Sequence, residues 1–151
     1  MIEDHRIVFI GCGKSKRRGK HKACDLYVGV YFRTYLTFAR CLVEDDRIFI
    51  LSAKYGVLGL DQVIESYDFK LSELNREEMV EWKRRVLRFM NQWIKRGFRI
   101  EFVCGRIYSD GLPGENLLPR VGIGKQMRYM CWQIKMKKGL FNGSVPSDKA
   151  F

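Results

Sequence analysis

Three runs of β-branched and aromatic residues constrain this chain most: Arg6–Gly11 (RIVFIG), 47–51 (RIFIL) and 98–104 (FRIEFVC). The first two are continuous, as strands buried on both faces are, while the third alternates enough to predict a less buried strand. Each is separated from the next by a stretch far longer than a hairpin loop, and parallel strands need crossovers of a dozen or more residues. The intervening stretches have helical spacing. Phe32, Tyr35, Leu36, Ala39, Leu42 and Val43 make one apolar stripe. Asn75 with Glu78 three residues on reads as a capping box, followed by Met79, Trp82, Val86, Met90 and Trp93 and closed by Gly97. Ile123, Met127, Met130, Cys131 and Ile134 mark a last helix, and residues 117–121 a short fourth strand. The pattern predicts an α/β fold, a small three-layer Rossmann-like parallel sheet flanked by helices. It forms a single domain over residues 1–138, with a turn-rich C-terminal tail over 139–151.

The residues directly after each strand point to a site. The first run leads into Cys12, Gly13, Lys14, Ser15 and Lys16, the second into Ser52, Ala53, Lys54, Tyr55 and Gly56, the third into Gly105, Arg106, Ile107 and Tyr108. In an open parallel sheet these segments leave at one edge, where ligands bind at the switch point. Lys14, Lys16, Lys54 and Arg106 are therefore expected to converge, and crowded cations call for an anion, phosphate being the simplest. The G-C-G-K-S-K loop offers backbone N–H groups to phosphate oxygens. It lacks both the Walker spacing and G-x-G-x-x-G, which disfavours an ATPase or a dinucleotide enzyme. Gly122, Gly124 and Gln126 open the last helix as a second such loop. Turns need glycines anyway, so the case rests on three polar strand ends together.

Carboxylates supply candidate chemistry. Asp25 beside Tyr27, and Glu65 near Tyr67 and Asp68, stand in segments close to the strand ends; each can act as base or nucleophile, or simply neutralise lysines. Cys12 is a cysteine beside a lysine, but with only His5 and His21 in the chain a Cys-His pair has little support, so packing or ligand contact is its expected role. The five cysteines are odd in number and show no CxxC. Reduced thiols in the cytoplasm, with no metal and no cofactor, are expected, and Cys41, Cys104 and Cys131 fall in apolar patterns as small core residues.

Charge adds a partner. The chain carries 28 Lys+Arg against 17 Asp+Glu among 151 residues, a net charge of +11. With 46% hydrophobic residues it is no disordered chain, and no apolar run approaches a membrane span or a secretory leader. The excess is uneven: +2 over residues 1–75 and +9 over 76–151, the former holding a basic island from Lys14 to Lys22. Polyanions, nucleic acid above all, fit such a surface, and so does mere solubility.

The ordered set CGKSK (12–16), DLY (25–27), LSAKYGVL (51–58), IESYD (64–68), GRIY (105–108) and GIGKQ (122–126) resembles an uncharacterised family of bacterial and phage domains. That family is distantly similar to the YaaA-type peroxide-stress proteins. The resemblance spans roughly residues 6–130. It implies a setting of DNA binding, oxidative stress or nucleobase modification, with no assigned reaction.

Two functions are expected. In the first, the strand-end cleft binds an anionic nucleotide or nucleic-acid base. Lys14, Lys16, Lys54 and Arg106 hold the anion, Tyr55, Tyr67 and Tyr108 contact the base, and Glu65 or Asp25 acts on a nucleobase or glycosidic bond. In the second, the chain is a non-catalytic DNA- or RNA-binding module whose basic helices meet phosphates. Neither needs a membrane, and the oligomeric state is open.

Overall fold

The computed structural model describes residues 5–139. The expected tail lies outside the described residues from 140 onward. Along the chain run β1 (Arg6–Gly11), β2 (Lys20–Lys22), α1 (Ala23–Leu26), α2 (Val30–Arg40), β3 (Ile48–Ser52) and β4 (Gly56–Gly59). Then come β5 (Val63–Glu65), α3 (Arg76–Ile94), β6 (Arg99–Val103), α4 (Arg106–Ser109), β7 (Glu115–Asn116) and α5 (Ile123–Lys137). The main sheet has the order β4-β3-β1-β6-β7, with every pairing parallel except β3 with β4.

Side chains of β1 alternate between two cores. Val8 and Ile10 face the layer of α2 and α5, packing with Phe32, Phe38 and Met130. Ile7 and Phe9 face α3, against Trp82, Val86 and Met90. All four β1 side chains are completely buried, each contributing roughly 1.5–3 kcal/mol on transfer from water. This is the three-layer α/β arrangement that the apolar runs imply.

The long helix α3 starts where its cap lies. Asn75 Oδ1 accepts from the Glu78 N–H at 2.8 Å, and Glu78 Oε1 accepts from the Asn75 N–H at 3.0 Å. The helix stops before Gly97.

Four details depart from the sequence reading. The third run, expected to be less buried, is buried beyond Arg99 like the other two, because β6 lies between β1 and β7 and buries Ile100 through Val103. Its alternation comes from Glu101, which is buried yet ion-paired to Arg6 at 3.3 Å and Arg99 at 3.8 Å. The extra parallel strand is Glu115–Asn116 rather than 117–121. Gly114 has φ +126°, and a Cβ there would stand 2.7 Å from the Ile100 carbonyl oxygen, so only glycine lets the chain come in beside β6. Pairing then ends after Leu117, whose N–H reaches the Phe102 carbonyl, and Pro119 has no N–H to continue it. Of the three cysteines assigned to the core, Cys104 is buried, Cys41 half-buried and Cys131 exposed, since Met130 holds the inward face of α5. Finally, β3 turns straight back into β4 through Ala53, Lys54 and Tyr55, with Gly56 at φ +78° pairing with Ser52. A small ribbon of β2 with β5 accompanies it.

Candidate functional site

From β1 the chain moves to β3 on one side, then crosses to β6 on the other, so the strand order reverses at the carboxyl ends of β1 and β6. A cleft of about 250 Å³ opens there. Cys12, Gly13, Lys14 and Lys16, leaving β1, form one wall. The segment Asp68 to Ser72 and the α4 residues Ile107 and Tyr108 form the rest. Cys12 Sγ lies 3.2 Å from the Tyr108 hydroxyl and hydrogen-bonds to it, tying the two strand ends together.

The loop after β1 is fixed from behind. Lys16 bridges to Tyr27, the Arg17 N–H donates to the Leu26 carbonyl (2.8 Å), and the Val28 N–H donates to the Ser15 carbonyl (2.9 Å). The CGKSK and DLY motifs are thus two sides of one short pairing. Beneath them lies a chain of hydroxyls. Tyr27 and Tyr67 hydroxyls are 2.7 Å apart, and Tyr67 is 2.8 Å from Ser52 Oγ, which accepts from the Tyr55 N–H at 3.1 Å. Trp82 Nε1 of α3 donates to the Ser52 carbonyl at 2.9 Å, anchoring the end of β3. Burial raises the pKa of Tyr27, Tyr67 and Tyr108 well above the ordinary 10.0, so all three stay neutral hydroxyls at physiological pH.

Lys16 rests on this platform. Its Nζ sits 4.5 Å from the Tyr67 ring centroid and donates to the Lys14 carbonyl at 3.2 Å. Cation–π contact holds the ammonium without neutralising it. Among the described residues Lys14, Lys16 and Lys70 make no ion pair, although Asp68 shares their cleft.

The four cations expected together do not converge. Lys14 and Lys16 line the cleft, whereas Lys54 lies over the Tyr55 ring at 5.2 Å and borders an adjoining depression against α3. Arg106 turns away: its Nη2 donates to the Leu118 carbonyl at 2.6 Å. Gly105 caps α4 and Gly122 caps α5, with Gly124 in that helix's first turn. Gln126 Nε2 donates to the Pro119 carbonyl at 3.0 Å, so Arg106 and Gln126 together hold the 117–122 loop instead of lining the cleft. Tyr55 points to the ribbon, its hydroxyl donating to the Glu65 carbonyl at 2.9 Å. Asp25 is exposed on α1, and Glu65 is exposed on β5 opposite Lys20; neither is among the cleft-lining residues. The carboxylate that does line it is Asp68, with Phe69, Lys70 and Ser72 beside it. Asp68 closes the IESYD motif, which is the signal the sequence offers for it; nothing in periodicity marks residues 69–72. The His21 ring hydrogen-bonds the Arg18 carbonyl at 2.7 Å, and among the described residues no group of three His, Cys, Asp or Glu side chains gathers as a metal site. None of the described helices is long and apolar enough to cross a membrane.

Fold and cleft together define a mostly parallel three-layer α/β domain with a lysine-rich pocket at its switch point. Over residues 7–131 the chain matches a family of unknown function, DUF6884, and it belongs to that family. The match covers every residue of the cleft. No curated protein and no solved structure matches the chain.

Proposed function

We propose that this cleft binds the phosphate-bearing part of a nucleotide, free or within a nucleic acid. The observation that carries the reading is the set of three lysines that make no ion pair among the described residues, gathered with one aspartate at a switch point. Cations that line one cleft repel one another, and a bound anion relieves that cost. Backbone N–H groups of the Gly13 loop add directional donors. In this reading Asp68, which lines the cleft, serves as the acid or base at a nucleobase or glycosidic bond, with Tyr108 as a neutral donor. The resemblance of the motifs to YaaA-type stress proteins supports a role in nucleic-acid modification or stress.

A second reading is favoured by the outer faces of two helices. Arg76, Arg84, Arg85 and Arg88 are exposed on α3, and Lys125, Arg128, Lys135 and Lys137 on α5. These cations fit a non-catalytic module that contacts nucleic-acid phosphates. Titrating a mononucleotide and a DNA or RNA oligomer at two salt concentrations separates the two. With Lys14→Ala/Lys16→Ala, loss of mononucleotide binding supports the cleft. Undiminished binding of both ligands, together with loss on Arg84→Ala/Arg88→Ala, overturns it in favour of the module.

A further inference from the structure

A second depression of about 240 Å³ adjoins the cleft, and the two share Phe69 as a wall. Their chemistry differs. The first cleft has Lys14, Lys16 and Lys70 against Asp68. The second has Lys54 and Arg85 balanced by Glu78 and Glu81, around an apolar floor that includes Leu74 and Trp82. A bare anion gains from the first and nothing net from the second. A flat, neutral heterocycle gains from the second, where apolar surface meets both donors and acceptors.

The carboxylates there have acceptor capacity to spare. Glu78 uses Oε1 for the Asn75 N–H, and Glu81 uses Oε2 for Arg84 at 2.7 Å. The other oxygen of each makes no hydrogen bond among the described residues. An ionised carboxylate accepts only, so it selects N–H groups over carbonyls. Lys54 and Arg85, which make no ion pair among the described residues, supply the complementary donors.

We propose that the two depressions divide a nucleotide between them, the phosphate held by the Lys14–Lys16 loop and an amino-bearing nucleobase held by the depression beside Phe69. The inference rests on the cleft reading above and names its ligand class. Equilibrium titration with ribose 5-phosphate and with two matched pairs, CMP against UMP and AMP against IMP, tests it. The wild type prefers the amino-bearing member of each pair by roughly tenfold, as a hydrogen bond to a charged group provides. Glu81→Ala, at an exposed helix position, abolishes the preference and leaves ribose 5-phosphate affinity unchanged. Lys14→Ala/Lys16→Ala weakens every ligand and keeps the preference among those still bound. Equal binding of the paired nucleotides, or a preference that survives both Glu81→Ala and Arg85→Ala, overturns the second depression as a base site while the cleft reading stands. Absence of binding by any of the five ligands to the wild type overturns both.

Discussion

Ser52 joins three elements through one side chain and one carbonyl: the β3–β4 turn, the Tyr67 segment and Trp82 of α3. Removing its hydroxyl takes away one of the two partners of the half-buried Tyr67 hydroxyl, which keeps Tyr27, and the acceptor of the Tyr55 N–H. Ser52→Ala is therefore expected to lower unfolding free energy by about 1–3 kcal/mol in a urea titration. The same buried groups give an alkaline limit. Tyr27, Tyr67 and Tyr108 are raised, and burial pushes the Cys104 thiol from 9.0 up to about 12. Each binds its proton more tightly folded than unfolded. Its contribution is full below the unfolded value and lost as pH climbs through the folded one. Stability should thus fall once pH passes about 9–10, and tyrosinate absorbance in the native protein should lag that of the unfolded chain. A native titration that tracks the unfolded curve contradicts this. Tyr27, Ser52, Tyr55 and Tyr67 can each be singled out in the sequence as polar groups near strand ends. Their bonding cannot, because it joins positions far apart in the chain, and Tyr67 turns out to carry Lys16 on its face.

At the scale of elements, legibility depends on length. α2 and α3 are several turns long and show their periodicity, and α3 declares its start through Asn75 and Glu78. β1 and β3 are continuous apolar runs. β2, β4, β5 and β7 have two to four residues each, too few for a period of two to register. Glu101 misleads in the other direction, since a charge inside a strand reads as a solvent face until Arg6 is seen beside it. Two variants probe these elements. Asn75→Ala removes a reciprocal cap and should cost about 1 kcal/mol by thermal unfolding. Gly114→Ala forces a Cβ against the Ile100 carbonyl at positive φ and should cost more, at least about 2 kcal/mol. Equal melting temperatures for the two variants would mean that β7 does not depend on that close approach.

Over the whole molecule, the net charge of +11 has two structural addresses. One is the diffuse set on the outer faces of α3 and α5. The other is the small group at the switch point, where Lys14 and Lys16 on one wall and Lys70 on another line a single cleft. Binding governed by the first weakens steeply with salt and is indifferent to the cleft. Binding governed by the second falls less steeply with salt, because fewer phosphate contacts are made there. The parallel sheet and its site-bearing edge are readable from the strand runs and the polar residues after them. Which cations share the cleft is not, because Lys54 is carried off by a hairpin and Arg106 by the Leu118 carbonyl. Backbone amide chemical shifts during a titration with a nucleoside monophosphate test the central claim most directly. The largest changes should fall on Gly13 to Lys16 and on Phe69 to Ser72. Changes confined to the outer faces of α3 and α5, or none at all, would contradict a ligand site at the switch point.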